Sequence, residues 1–398
     1  MATNESVLFE EHVTAHGARI GIATLNAPQV LNSLSYEMVT GLAAQLTVWA
    51  SDAQIVMVIL RAAGDKAFCA GGDLHGLYAA ARSAPRGDPW AQTGARSFFE
   101  HEYRLDYQIH TYPKPLLCWG HGIVMGGGMG LMMGASHRVV TETSKLAMPE
   151  ISIGLFPDVG GRWILSRLPG RLGLFLALTG AQLGPADALY AALADVHIPN
   201  TQWPDVFDAI LDAQWETGHL NTDDAVLDQP ARGMNDATLT RILQSHAAPV
   251  GGDGPLARHT FLINNWCSGN DLEEIGELIG LQAEHEDPWL ARAAQTYLRG
   301  APGSARLAFA LQQRARLMSL AEVFQMEFIA VLGTLAYGDI QEGIRALLID
   351  KDKRPKWQPA TLAEADDTWV QKFFEPPWPD GTTGPLADLG TPRTQANA

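Results

Sequence analysis

The order of apolar and polar positions changes character part-way along the chain. In "ARIGIATLN" the residues Ile20, Ile22 and Thr24 alternate, and Asn26-Ala27-Pro28 ends the run, which predicts a strand. "SYEMVTGLAAQLTVWAS" repeats apolar residues at helical spacing, through Met38, Leu42, Leu46 and Trp49. It predicts an amphipathic helix with Ser35 as N-cap and Glu37 close behind it. "IVMVILRA" is apolar without alternation and predicts a fully buried strand. "PLLCWGHGIV" and "HRVVTET" predict two more, and each run leads into a Gly-rich turn or a helix. Repeated strand-strand-helix units favour α/β layers over a sandwich. Beyond about residue 200 strand signals almost vanish. "WPDVFDAILDAQWE", "DLEEIGELIGLQAE", "DPWLARAAQTYLRG" and "SARLAFALQQRARLMSLAEVFQMEFIAVLGTLAY" are helical by period. "DQPARGMNDATLT" predicts a loop between helices. The Pro/Gly/Thr-rich tail from Glu375 predicts poor order. The expected division is a core over 1–200, a mainly helical region over 201–374, and a tail over 375–398.

Composition narrows the function classes. A chain of 398 residues exceeds the commonest single-core size, which agrees with a large domain and a smaller one. Hydrophobic residues make up 46% and charged residues 18%, enough to bury a sizeable core. The net charge of −16 argues against a general binder of nucleic acid or of anionic membrane. Any groups that meet a polyphosphate must be locally positive. Cys69, Cys118 and Cys267 form no CxxC, hence no disulfide framework and no zinc site, which suggests a reducing compartment. "MATNESVLFEEHV" lacks the basic and apolar regions of a signal peptide and is too acidic for a transit peptide. No apolar stretch reaches the roughly 18 residues of a membrane span. A cytoplasmic protein is expected.

Two glycine clusters and two carboxylates carry the candidate chemistry. "KAFCAGGDL" follows one buried strand, and "GIVMGGGMGLMM" follows another and opens an apolar helix. Glycine there lets backbone approach a ligand closely, and a helix start leaves N–H groups unpaired. Two such groups from separate loops can bind one oxygen as it becomes negative. Tight packing is the plainer reading of either cluster alone. Neither matches a Walker A loop or GxGxxG, and the chain has no GxSxG and no HExxH. "MPEISIGLFPDVGG" places Glu150 and Asp158 in an apolar, Gly- and Pro-punctuated stretch. Alone, such acids are as readily caps or solvated turn residues.

Taken in order, "LNAPQVLNSLSYEMV", "KAFCAGGDL", "GIVMGGGMGL" and "MPEISIGLFPDVGG" resemble the enoyl-CoA hydratase/isomerase (crotonase) superfamily over about residues 7–200. The resemblance implies an α/β fold, a ClpP/crotonase-like spiral of ββα units, with the helical region added at its C-terminal end. It implies a coenzyme A thioester as substrate. Its carbonyl oxygen would sit between the N–H groups of Gly72 and Gly127, with Lys66, Ala70, Gly71, Asp73 and Gly126 as further substrate- or CoA-binding positions. "PEISIGLFPDVGGRWILSRLPGRLGLFLALTG" and "QMEFIAVLGTLAYGDIQEGIRALLIDKDKRPKW" are similar to the two signatures of the 3-hydroxyisobutyryl-CoA hydrolase group, which extends the resemblance to about residue 375. Hydratases carry a second catalytic glutamate just after the glycine triplet, where this chain has Gly130. Water addition across C=C needs two acid/base groups, so hydratase activity is disfavoured. Arg162 stands where a small residue is expected, and it leaves the acyl preference open.

The expected activity is hydrolysis of a short 3-hydroxyacyl-CoA, implied by the resemblance to be 3-hydroxyisobutyryl-CoA in valine catabolism. Glu150 would be base or nucleophile, and Asp158 would orient water or the substrate hydroxyl. The alternatives are an enoyl-CoA isomerase- or hydratase-type crotonase and a non-catalytic CoA-binding paralogue. No metal and no cofactor is implied beyond the CoA of the substrate. Assembly into a homo-oligomer is left open. Cys69 reads as a small buried filler, and His121 and His137 as structural. Arg61 and Lys66 could meet CoA phosphates or be simply solvated. "IDKDKRPKW" could close over CoA or face solvent.

Overall fold

The structure, a computed structural model, describes residues 5–217 and 229–391. Its principal elements begin with β1 (Val7–Val13), β2 (Arg19–Leu25), α1 (Tyr36–Ser51), β3 (Ile55–Ala62), β4 (Ala67–Cys69), α2 (Leu74–Ser83) and α3 (Thr93–His110). They continue with β5 (Leu116–Gly120), β6 (Ile123–Met125), α4 (Gly127–Met133), β7 (His137–Val140), β8 (Lys145–Ala147), α5 (Gly161–Leu165), α6 (Leu172–Thr179) and β9 (Val196–His197). Contacts gather these elements and the later helices into two units. The first is Met1–Asp73, Gln108–Met148 and Ala181–Asn265; the second is Leu74–Tyr107, Pro149–Gly180 and Trp266–Ala398. Each unit is assembled from three segments, so its borders do not coincide with the expected division at residue 200.

The nine strands among the described residues all lie in the first unit. A six-stranded sheet has the order β1-β2-β3-β5-β7-β9, and a three-stranded sheet has the order β4-β6-β8. Among the strands of the described residues, β1 and β2 pair antiparallel and the other strand pairs are parallel. Each turn of the chain places one strand in the large sheet and the next in the small one, as β3–β4, β5–β6 and β7–β8. This is the expected spiral of ββα units. "PLLCWGHGIV" is therefore two strands of different sheets rather than one. The break falls at Gly122, whose φ is +60° and whose added Cβ would stand 2.3 Å from the Lys66 carbonyl oxygen. Only glycine turns the chain that tightly.

The buried strands read as the sequence suggested, with one change. In β2 every residue after Arg19 is buried, so its alternation does not mark a solvent face. Ile20 and Ile22 join a core with Val206, Ile210 and Leu239 of the helices Trp203–Asp212 and Gln229–Ser245. On the other side a Cβ on Gly21 would meet the Trp49 ring of α1 at 2.7 Å. A parallel sheet covered on both faces needs no polar rank. The α1 helix starts as predicted, with the Ser35 hydroxyl accepting from the Met38 N–H at 3.3 Å.

The second unit is helical, built around the helices Pro302–Ala315 and Leu320–Tyr337. The sequence reads these as one run. The structure breaks it before Leu320, where Ser319 caps the second helix in a reciprocal capping box with Glu322. Leu320–Tyr337 has the length and apolarity of a membrane span, unlike the expectation from the sequence, but 72% of it is buried inside the fold and it serves as a core helix. "DQPARGMNDATLT" is also helical from Gln229 onward rather than a loop. Its proline falls in the first turn, where a missing N–H has no helical acceptor to lose. The tail expected to lack order is anchored at several points before Thr391. Leu386 is buried, the Arg104 guanidinium pairs with Asp388 at 2.8 Å, and Gln325 donates to the Leu386 carbonyl. Residues 392–398 lie outside the described part.

Candidate active site

In the first unit, the parallel pairing of Ala67 with Ile123 and of Cys69 with Val124 brings the ends of β4 and β6 side by side. The two glycine loops that follow therefore lie against one another. A Cβ on Gly71 would stand 3.3 Å from the Met125 carbonyl oxygen and 3.7 Å from the Gly127 nitrogen, and one on Gly128 would stand 2.3 Å from the Cys69 carbonyl oxygen. Gly71 also has φ +106°. The first loop is pinned to the segment before α1: Ala70 N–H donates to Leu31, Leu34 N–H to Gly71, and Asp73 N–H to Leu34. Gly126 N–H is taken by the Ala147 carbonyl. The Gly72 and Gly127 N–H groups have no protein acceptor among the described residues. These are the two positions to which the family resemblance assigns the oxyanion donors. Because α4 has only seven residues, the individual N–H groups, rather than a helix dipole, supply the positive charge.

The other candidates in this unit divide plainly. Lys66 is exposed. Arg61 lies over the Trp203 ring at 4.4 Å, which occupies its guanidinium in a structural contact. Cys69 is fully buried. His121 bonds the Gly64 carbonyl, and His137 bonds Ser136, Thr240 and the Asp236 carbonyl, so both are structural.

The carboxylates belong to the second unit. Glu150 opens a 3-10 turn, Glu150–Ile153, closed by Gly154 at φ +74°. A Cβ on Gly154 would stand 2.5 Å from Asp339 backbone atoms, and the Ile151 carbonyl accepts from Ala301, so the turn is clamped from two sides. Glu150 is 4% exposed, and its Oε2 has no hydrogen-bond partner among the described residues. Asp158, equally buried, accepts a 2.7 Å hydrogen bond from the Tyr103 hydroxyl on α3. The loop after it is strained. Val159 is β-branched yet has φ +54°, a conformation that costs on the order of 1–3 kcal/mol. Glu327, from the helix Leu320–Tyr337, holds this loop. Its Oε2 accepts from Gly160 N–H at 2.8 Å and its Oε1 from Arg162 N–H at 2.9 Å. The Arg162 guanidinium donates to the Pro157 carbonyl at 2.9 Å and to the Ala308 carbonyl at 3.1 Å.

Four members of this cluster were not singled out from the sequence: Glu102, Tyr103, Asp106 and Glu327. Glu102 and Asp106 fall on the buried stripe of α3 with Phe99 and Tyr103, so two acids on an apolar helical face were the available signal. Both oxygens of Asp106 are buried without a partner among the described residues. Glu327 sits inside "AEVFQMEF", whose Met and aromatic positions, Phe324, Met326 and Phe328, are core. Arg162 is fully buried, which favours its structural reading, but it is also the cation of the carboxylate cluster.

Burial and mutual repulsion set the ionisation of the cluster. Burial, reinforced by the Asp158 charge, pushes Glu150 well above the carboxylate range. Burial raises Asp158 to about 6, against the pull of its Tyr103 hydrogen bond. Burial also raises Glu327 to about 8, and it raises Glu102 and Asp106 well above their usual values. Arg162, lowered by burial to about 10, stays cationic at neutral pH. One cation cannot support five buried carboxylates, so most of them hold protons. A Tyr103→Phe variant removes the bond that keeps Asp158 acidic. The expected result is a fall in kcat on the order of tenfold. The acid limb of the pH profile should also move upward, whereas a merely structural role for Tyr103 would leave the limb in place.

A family model of enoyl-CoA hydratase/isomerase matches residues 20–374. A 3-hydroxyisobutyryl-CoA hydrolase, mitochondrial, of Gallus gallus is 36% identical over 89% of this chain and 86% of its own length. A 3-hydroxyisobutyryl-CoA hydrolase 1 of Arabidopsis thaliana is 34% identical over 94% of this chain and 93% of its own. Among solved structures, a carnitinyl-CoA dehydratase from Mycobacterium thermoresistibile superposes with a TM-score of 0.78 at 34% identity, covering 94% of this chain and 97% of that one. The chain belongs to the enoyl-CoA hydratase/isomerase (crotonase) family and, within it, to the group of 3-hydroxyisobutyryl-CoA hydrolases. Several of these relatives are named as mitochondrial, so the expectation of a cytoplasmic protein finds no support among them.

Proposed function

We propose that this chain hydrolyses 3-hydroxyisobutyryl-CoA to 3-hydroxyisobutyrate and free CoA, the thioester cleavage of valine catabolism. The observation that carries the reading is the pairing of Glu150 and Asp158 in one buried cluster while Gly130 offers no side chain after the glycine triplet. Thioester cleavage needs one nucleophile or base, charge stabilisation on the carbonyl oxygen, and an oriented water. Glu150 supplies the first, the Gly72 and Gly127 N–H groups the second, and Asp158, held by Tyr103, the third. CoA is part of the substrate, and the route calls on no resident cofactor.

Glu150 attacks the thioester carbonyl as a carboxylate, which expels the CoA thiolate and leaves an anhydride. Water then opens the anhydride. Burial makes Glu150 a stronger nucleophile once ionised, at the cost of a smaller ionised fraction at neutral pH. As pH falls, Glu150 takes up its proton and the rate is lost. Its raised pKa places that loss above the ordinary carboxylate range. The acid limb of kcat/KM is therefore expected above that range rather than near pH 4. A limb near pH 4 would show that the ionising group is solvated.

An acyl-CoA panel read for free thiol and for C=C absorbance tests the reaction class. Thiol release with an intact carbon skeleton supports hydrolysis, while a double bond gained, lost or moved points to the hydratase or isomerase reading. A single turnover in ¹⁸O-water tests the route. Label in Glu150 and none in the product supports the anhydride. Label in the product alone, with no acyl-enzyme trapped by hydroxylamine, assigns Glu150 to general-base catalysis instead.

A further inference from the structure

Within the second unit lies a cavity of about 530 Å³. It is bordered by the first turn of α6 and by the end of the helix Pro302–Ala315. Two guanidinium-bearing residues, Arg171 and Arg316, line it, with the amides of Asn270, Gln312 and Gln313 between them and Leu168 and Leu174 as its apolar part. No lining residue is acidic, in a chain whose net charge is −16. Arg316 makes no ion pair among the described residues. The N-terminal turn of α6 adds its partial positive charge. The carbonyl oxygen of the Gln312 amide is taken by Arg162 Nη1 at 3.3 Å, which leaves the amide NH₂ for an occupant. Arg162 Nη2 is buried without a partner among the described residues.

We infer that this cavity binds a small organic phosphate of nucleotide size, and that Gln312 carries its occupancy to Arg162 and so to the Asp158 loop. The chemistry selects the ligand. The planar Arg316 guanidinium offers parallel N–H pairs that fit phosphate oxygens, and Arg171 adds a second positive charge to the cavity wall. The volume falls in the range of small-molecule sites, ~300–1,000 Å³. Amides that both donate and accept suit hydroxyls or the edge of a base, and Leu168 and Leu174 suit its face. The cavity contains none of the glycine-loop residues, so it is a second site rather than the seat of the thioester. Gln312 makes it a regulatory one. An anion that draws the amide toward itself loosens the bond to Arg162 Nη1, and Arg162 is the cation that faces Asp158, Glu150 and Glu327.

The test uses the full chain, with ADP and inorganic pyrophosphate as probes and calorimetry in the absence of substrate. Binding is thus read even if the chain proves inactive on the thioester, and failure of the cavity is separable from failure of the hydrolase reading. ADP is expected to bind one per chain, more weakly as salt rises. Arg316→Ala should weaken binding at least tenfold while KM for the acyl-CoA stays unchanged. Gln312→Leu should still bind ADP but lose the change in kcat that ADP causes in the parent chain. No binding at millimolar ADP, or binding indifferent to Arg316→Ala, overturns the site. Competition between ADP and the acyl-CoA, with a tenfold higher KM in Arg316→Ala, also overturns it, because the cavity would then be the substrate's own phosphate subsite.

Discussion

The Glu150→Gln variant is expected to bind acyl-CoA as the parent does and to release thiol at least a hundredfold more slowly. The amide has nearly the volume of the carboxyl, and the site is too enclosed, at 4% exposure, to admit a substitute water in its place. What changes is the chemistry. A neutral amide neither attacks a carbonyl nor takes a proton from water, and general-base or nucleophilic assistance is worth ~10²–10⁴-fold. The variant also makes a stability prediction of definite sign. A carboxyl whose folded pKa is raised is at home at low pH and costs stability as pH rises through that pKa. Glutamine carries no such cost. The variant should therefore unfold at a higher temperature than the parent at pH 8, with the gap closing toward pH 5. An unchanged kcat would remove Glu150 from the mechanism. A variant destabilised at every pH would mean that the carboxyl, rather than its charge, holds the turn together.

The layered architecture was legible because its signals are local. The α1 stripe and its Ser35 cap, the unbroken apolar run of β3, and the switch to helical periods after the last strand all follow from short-range patterning. What sequence patterning missed depends on contacts between distant segments. "PLLCWGHGIV" reads as one strand until Gly122 has to pass the Lys66 carbonyl. "IDKDKRPKW" reads as a basic run, yet Asp350 and Asp352 turn it back on Arg345, and its lysines at 351 and 353 are exposed. The tail reads as disordered by composition, although Arg104 and Gln325 hold it. The site divides in the same way. Glu150, Asp158, Gly72 and Gly127 stand in recognisable motifs. Glu102, Asp106 and Glu327 lie on helices whose acids look solvated until it is known which face is buried. Arg162 was legible only as a departure, and its burial beside the carboxylates supplies the physical reason for it.

Glu327 carries the second large prediction, because one side chain there does three jobs. It caps two backbone N–H groups, at 2.8 and 2.9 Å, in a loop that has no other acceptor for them among the described residues. It faces the buried Arg162 guanidinium as a carboxyl partner. It also holds Val159 in a left-handed conformation that the residue would otherwise leave. Glu327→Ala leaves two orphaned donors and a cavity. Each buried donor left unsatisfied costs ~1–3 kcal/mol, and the lost packing adds to it. Denaturant unfolding of the alanine variant should show a loss of that order, and the fraction that still folds should lose most of its kcat as Asp158 leaves the Tyr103 hydroxyl. Glu327→Gln separates geometry from charge. Its volume is unchanged, but one end of the amide is a donor, so it can accept from only one of Gly160 and Arg162 while its NH₂ meets the other N–H head-on. The expected cost is ~1–3 kcal/mol, with a kcat between those of the parent and the alanine variant. A glutamine variant as active and as stable as the parent would show that Glu327 fills space without positioning the loop. An alanine variant that kept its stability would place the support of Asp158 elsewhere, in Tyr103 and the Arg162 bonds to Pro157 and Ala308.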